Sequence, residues 1–331
     1  MKISIGIIAL NEEKYISGIM SDVLKQTYPL KKVELLLIDG GSTDKTKAIM
    51  MDFKRENMAL FWDIKVLDNP KKIQACGWNV AIKNYEGDVL IRIDAHAHIP
   101  ADFVEKNVRC LSNGEYVCGG RCPYMSEDTS LWSDILLEAE SAVFGSGISD
   151  FRNGDKTRYV KSLCHGAYKR EVFDKVGGFD ERLGRTEDND IHQRIIAAGY
   201  KNLYDKDILS YKYVRPSWMH ILIQKFSNGY WIGKTTFINP ACISFYYYVP
   251  AVFVVMLFAA ILLAMLGIVW PLCGLAVLYG GLQIVVAGLS VIKHKNPAYF
   301  CVAFICLSVH LAYGLGTLKG LLSKSTMSKL L

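Results

Sequence analysis

The chain has 331 residues, a formal net charge of +6 and 51% hydrophobic residues, enough for one large catalytic domain plus an appendage. So mild a positive balance does not point to a nucleic-acid partner. Its nine cysteines follow no metal-ligand spacing, since Cys118-x-x-x-Cys122 has no second pair after it, and they are expected to be reduced.

Residues 1–10 are too few for a signal peptide and run directly into Asn11-Glu12-Glu13, so the N-terminal domain is expected to stay in the cytoplasm. Residues 3–10 have strand length. Asn11 follows as a helix N-cap, with Glu12 and Glu13 in a first turn whose dipole favours them. That helix should run to about Gln26, before Tyr28-Pro29. A second strand, 33–39, carries Asp39 at its tip, and Gly40-Gly41-Ser42-Thr43-Asp44 turns the chain into another helix capped by Ser42 or Thr43. Residues 64–67 read as a third strand and 74–85 as a helix. After the Gly87-Asp88 turn comes an apolar strand that ends in Asp94-Ala95-His96-Ala97-His98. Strands alternating with helices predict an α/β fold with a mainly parallel, Rossmann-like sheet.

Asp39 and Asp94 should therefore reach one edge of that sheet, where open α/β sheets hold their ligands. Gly40-Gly41 lets the backbone approach a ligand closely. Neither G-x-x-x-x-G-K-[ST] nor G-x-G-x-x-G is present, which disfavours a P-loop kinase or a dinucleotide oxidoreductase. Asp94 and His96, two residues apart, share a face of an extended chain. They suit a hard cation, Mg²⁺ or Mn²⁺, although taken alone they equally describe a strand end with solvated polar residues.

Further on, Arg121 after Gly119-Gly120 either faces a phosphate or solvates a turn. Residues 126–159, which include Ser146-Gly147-Ile148-Ser149, read as a mobile segment. Glu187-Asp188-Asn189-Asp190 opens a helix; the carboxylates either complement the helix dipole or supply a general base. Residues 201–234 interleave Lys206, Lys212, Arg215, Lys225 and Lys234 with tyrosines and tryptophans, as an interfacial segment on anionic headgroups does. Residues 219–231 are expected to form an amphipathic helix. Three apolar segments follow, 245–268, 270–292 and 298–318, each near the ~20 residues that a bilayer requires. Lys293-His294-Lys295 is the charged loop among them and should be cytoplasmic. A third crossing would then put Lys319, Lys324 and Lys329 outside, so that segment is either re-entrant, interfacial or an exception. His310 within it serves a proton or lipid-phosphate contact, or hydrogen-bonds a neighbouring helix.

Three segments in order carry a resemblance. Ile7-Ile8-Ala9-Leu10-Asn11-Glu12-Glu13, Ile38-Asp39-Gly40-Gly41-Ser42-Thr43-Asp44-Lys45-Thr46 and Gly87-Asp88-Val89-Leu90-Ile91-Arg92-Ile93-Asp94-Ala95-His96 resemble the serial motifs of family 2 glycosyltransferases. The Asp-Ala-His form resembles the branch that builds succinoglycan-type bacterial exopolysaccharides. The resemblance implies the GT-A nucleotide-diphosphosugar transferase fold and a UDP-sugar donor. It implies that Leu10, Asn11, Glu13, Asp39, Lys72 and Asp94 bind the nucleotide sugar, and that Asp94 and His96 hold Mg²⁺ or Mn²⁺. Asp188 would be the catalytic base with Glu187 orienting it, and Gly166 and Asp190 would lie on the acceptor side, Asp190 as the fallback base. One base and one metal suffice for single displacement with inversion.

Polymer-making relatives carry a Gln-x-x-Arg-Trp motif. Here Gln224 and Trp231 stand apart, which favours transfer of a single sugar. The expected organisation is a cytoplasmic GT-A domain at 1–200, a basic and aromatic interfacial segment at 201–243, and a membrane domain at 244–331 with two to three transmembrane helices. The expected activity is hexosyl transfer to a lipid-linked (polyprenyl) saccharide at a bacterial plasma membrane, touching membrane lipids and no nucleic acid. Direct transfer to polyprenyl phosphate and a non-catalytic membrane scaffold are the alternatives.

Overall fold

β-Branched apolar runs alternate with amphipathic segments from the third residue onward, and they build a layered sheet. The computed structural model describes residues 1–142, 152, 154–215 and 217–323. Two compact units divide the chain: Met1–Pro123 with Ser149–Tyr213, and Tyr124–Ile148 with Val214–Leu331. The division thus falls at Tyr213 rather than near residue 200, and a stretch read as part of the catalytic domain groups with the tail. Ser146-Gly147-Ile148-Ser149, Lys324 and Lys329 lie outside the described residues.

The first unit runs β1 (Ile3–Ala9), α1 (Ile16–Leu24), β2 (Val33–Asp39), α2 (Thr46–Asn57), β3 (Asp63–Asp68), α3 (Gln74–Asn84), β4 (Val89–Asp94), β5 (Ala97–His98), α4 (Phe103–Ser112) and β6 (Val117–Arg121). After β7 (Tyr124–Met125) and α5 (Leu131–Ser141), which belong to the second unit, it resumes. There follow β8 (Arg158–Val160), β9 (Ala167–Lys169), α6 (Arg170–Val176), α7 (Glu187–Ala197), β10 (Asn202–Leu209) and β11 (Tyr211–Tyr213). The sheet order is β3-β2-β1-β4-β9-β6-β10-β8. β3, β2, β1 and β4 are parallel, β9 is antiparallel to both its neighbours, and β10 is parallel to β6.

β2 is buried at every position, as a strand covered on both faces must be. Glu34 is tolerated there because Ser4, Lys65 (2.6 Å) and the Glu86 N–H (2.8 Å) satisfy its carboxylate. Ile3, Ile5, Ile7, Ile91 and Ile93 pack one face of the sheet. Leu36, Ile38, Leu90, Trp78 and Tyr168 pack the other.

One expected start differs. Asn11 is not a helix cap: it adopts φ +55 and α1 begins five residues later. Its carboxamide is instead engaged by the β2–α2 loop, and Asn accepts the left-handed conformation more readily than most residues.

In the second unit α8 (Trp218–Ile238), α9 (Val249–Met265), α10 (Trp270–His294) and α11 (Cys301–Leu322) follow one another. Among the described residues, Phe245–Met265, Trp270–His294 and Pro297–Leu322 are long and apolar enough to cross a membrane. α8 lies along α11 through glycines: a Cβ at Gly229, Gly233, Gly316 or Gly320 would collide with the facing backbone. Glu140 on α5 pairs with Lys225 on α8 at 2.9 Å, both buried, and Glu138 receives Lys293 at 2.7 Å and His294 at 3.0 Å. His310 takes the internal partner: its Nδ1 is 2.6 Å from Tyr279 OH on α10.

Candidate active site

β1, β2 and β4 end side by side, with Asp39 in register with Ala9 and Asp94 with Ile8. β4 flanks β1 opposite β2, so Asp94 lies where the strand order reverses, the place at which open α/β sheets bind ligands.

Asp39 is buried and accepts the backbone N–H groups of Gly41 at 3.1 Å and Ser42 at 3.2 Å. Gly41 has φ +76, and a Cβ there would sit 3.2 Å from Lys72 Cε, so the lysine stem closes over this turn. Leu10 packs beside Gly40. Leu10, Asp39 and Lys72 thus gather around Gly40-Gly41. Asn11 and Glu13 brace the same loop: Asn11 Oδ1 accepts the Thr43 N–H at 2.8 Å, and Glu13 Oε2 the Lys45 N–H at 2.9 Å.

At the β4 tip, Glu12 is the first-loop residue that arrives. His96 Nδ1 lies 3.1 Å from its Oε1. With Nδ1–H donating to that carboxylate, Nε2 keeps its lone pair for a ligand. Asp94 forms an ion pair with Lys212 on β11, and His165 Nε2 is 3.5 Å from it. Burial would raise the Asp94 carboxyl, but Lys212, His165 and His96 outweigh it and hold the group well below the usual carboxylate range. An ionised carboxylate beside an imidazole is a donor set that fits Mn²⁺, and Mg²⁺ through the carboxylate, with phosphate oxygens completing the shell. His98 turns away, its Nδ1 2.6 Å from Asp22 and its ring against Tyr211.

The acidic cluster opens α7, and its members diverge. Asp188, about one third exposed, meets Arg92 Nη2 at 2.6 Å. Arg92 lies on β4 two residues before Asp94, hence on the same face, and its guanidinium is held between Trp78 (4.4 Å) and Phe179 (4.6 Å). Glu187 is buried, and burial together with the adjacent Asp188 charge pushes its carboxyl up to about 8 against the pull of Arg92. Asp190 is buried and paired with Arg194 at 2.8 Å, while Arg194 also donates to the carbonyls of Val176 and Gly178 at 2.7 Å. Its carboxylate therefore anchors α7 to the loop after α6.

Below this wall, Tyr168 OH donates to His192 Nε2 at 2.8 Å, and His192 Nδ1 lies 3.2 Å from Ser162 Oγ. Burial lowers His192 to about 4 and raises Tyr168 to about 12, so this floor is uncharged at neutral pH. The space above Gly166 is filled by the Tyr168 ring, and its carbonyl accepts the Arg92 N–H at 2.9 Å.

Sequence reasoning passed over Arg92, Lys212, His165 and Glu12. Arg92 carried a signal, because a lone cation inside an apolar strand requires a buried anion. Lys212, grouped by composition with an interfacial segment, belongs to the first unit.

Known proteins resemble this chain in sequence and in fold. A model of glycosyl transferase family 2 matches residues 4–177. The chain is 26% identical, over 99% of both sequences, to the dolichyl N-acetyl-alpha-D-glucosaminyl phosphate 3-beta-D-2,3-diacetamido-2,3-dideoxy-beta-D-glucuronosyltransferase of Methanococcus voltae. It is 30% identical to the succinoglycan biosynthesis protein ExoA of Rhizobium meliloti, over 66% of each. Among solved structures, the mannosyltransferase PcManGT from Pyrobaculum calidifontis, in complex with GDP-Man and Mn²⁺, aligns with a TM-score of 0.63 at 16% identity, over 98% of this chain and 88% of that one.

Proposed function

The chain belongs to glycosyl transferase family 2 and has the GT-A fold, and from that premise we propose that it is an inverting, metal-dependent hexosyltransferase of the membrane surface. It moves one sugar from a UDP-sugar to a lipid-linked saccharide during assembly of an exopolysaccharide or cell-envelope glycan. The observation that carries this reading is the ion pair between Arg92 and Asp188. Through it a single strand, β4, positions both a partly exposed carboxylate and, two residues on, the ionised Asp94.

In this mechanism Asp188 accepts the proton of an acceptor hydroxyl, whose oxygen attacks the anomeric carbon. The bond from that carbon to the diphosphate breaks as the new glycosidic bond forms, and one displacement inverts the centre. Arg92 holds Asp188 oriented. Asp94 and His96 would hold a divalent ion, which when bound neutralises charge on the leaving diphosphate. Lys212 adds a fixed positive charge beside Asp94. Asp39, Leu10 and Lys72 serve the nucleoside end.

The M. voltae relative is named for a dolichyl phosphate sugar acceptor, which supports a lipid-linked acceptor here. The three apolar helices would keep such an acceptor within reach. Glu138 binds Lys293 and His294, so α5 and that charged loop share one side of the bilayer, the cytoplasmic side in this reading.

The test is a transfer assay with a panel of UDP-sugars, with and without Mn²⁺ or Mg²⁺. Asp94→Ala is expected to abolish metal-dependent nucleotide binding. Asp188→Asn is expected to retain binding and to lose transfer by about 10²-fold or more. Full transfer by Asp188→Asn would remove the base assignment, and tight, metal-independent UDP binding by Asp94→Ala would remove the metal assignment.

A further inference from the structure

Cys122, Cys164 and His165 take no direct part in the transfer chemistry, and they converge in the first unit. One potential ligand atom from each lies within 4.8 Å of the others, and Cys122 Sγ is 3.9 Å from His165 Nδ1. Cys122 and His165 are buried and Cys164 is partly exposed. We infer that these three side chains form a site for a soft tetrahedral cation, Zn²⁺ by chemical class, distinct from the hard-cation pair Asp94 and His96.

Two thiols and an imidazole are the donor set that Zn²⁺ selects. Around a tetrahedral Zn²⁺ with ordinary bond lengths the ligand atoms stand about 3.5–3.8 Å apart, so this group has to close by about 1 Å or less. The outer contacts fit as well. If Nδ1 ligates, Nε2 points to Asp94 at 3.5 Å, which makes the carboxylate–histidine–metal relay that orients such ligands. Ser210 Oγ, 2.9 Å from Nδ1, is a hydroxyl that can rotate off that nitrogen. Arg152 donates to the Cys122 carbonyl and lies 3.9 Å from its sulfur, fixing that end of the site. With three protein ligands the fourth position would go to water, as in open zinc sites.

The cation takes Cys122 and Cys164 as thiolates and His165 as a neutral imidazole, and whatever protons the three hold leave to solvent; two thiolates neutralise the cation, so the Asp94–Lys212 pair keeps its charge. The consequence is mechanical. The cation would tie the end of β6 to the segment before β9 and hold the His165 ring against Asp94.

The experiment uses the full chain in detergent, reduced, stripped by chelator and titrated with Co²⁺. One equivalent should give a thiolate-to-cobalt charge-transfer band and the intense visible bands of a tetrahedral site, and added Zn²⁺ should bleach them. Cys122→Ser and Cys164→Ser should each weaken binding by at least about tenfold. Cys118→Ser should leave the band unchanged, whereas Asp94→Ala should keep the band, since an oxygen and nitrogen site gives none, but weaken binding because the partner of His165 is lost. Failure of the transfer reading would leave this spectrum untouched. The inference is overturned if reduced wild-type protein shows no charge-transfer band. It is likewise overturned if the band survives in Cys122→Ser/Cys164→Ser, or if peptide mapping finds a Cys122–Cys164 disulfide in the isolated protein.

Discussion

Glu187 and Asp188 are neighbours in sequence with opposite environments. Asp188 reaches Arg92 and the surface, whereas Glu187 is enclosed and its carboxyl is pushed up to about 8, first by burial and then by Asp188. At neutral pH Glu187 therefore holds its proton. A carboxyl raised by folding contributes stability that is full below its ordinary value and lost as pH rises through about 8. His192, lowered to about 4 by burial, acts only below its ordinary value of 6.5, where stability falls with falling pH. Between pH 6.5 and 8.5 the Glu187 effect stands alone of the two. The melting temperature of wild type should fall across that window, by about 2–4 °C per kcal/mol, and that of Glu187→Gln should stay flatter. Equal slopes in thermal scans at stepped pH would show that Glu187 is ionised in the folded state. Asp39 and Asp94 were legible in the sequence because strand tips are local features. Arg92 and Lys212 were not, because their anions lie on elements remote in the chain.

At the scale of elements, the parallel strands were readable as unbroken apolar runs, and the start of α1 was not, because a side chain from another loop captured Asn11. α8 was expected to be a short amphipathic helix at an interface. It runs for 21 residues, and its Gly229 and Gly233 meet the backbone of Tyr313, Thr317 and Gly320 on α11. The signal was present as paired small residues four apart, the spacing that lets helices approach closely in a bilayer. Gly316→Leu would drive a side chain into the Phe226 carbonyl. It should lower the melting temperature in detergent, at a cost of about 1–3 kcal/mol or more. Gly281→Leu on α10, with nothing within 4 Å, should be tolerated. Equal melting temperatures for the two variants would mean that α8 and α11 are not held by this contact.

For the whole molecule, family and fold were legible because three motifs recur in order. The division into units was not, because Ile135 and Leu136 of α5 pack with Ile221, Val302 and Ile305 of the tail, contacts that no local pattern encodes. The proposed topology can be read by labelling with a membrane-impermeant thiol reagent. In a background with Cys273→Ser and Cys301→Ser, Ile268→Cys should be labelled in intact cells and Lys295→Cys only after permeabilisation. Labelling of position 295 from outside would reverse the orientation.

The placement of α5 has a practical consequence for anyone preparing a soluble fragment. The polypeptide passes from one unit to the other after Pro123, returns before Ser149, and leaves again after Tyr213. No single cut releases the catalytic half. Truncation at Tyr213 would strand α5 with Glu140 deprived of Lys225 and its apolar residues deprived of α8 and α11, a recipe for aggregation. A usable fragment requires a second operation, excising residues 124–148 and splicing the ends, because the second unit is drawn from two separate stretches of the chain.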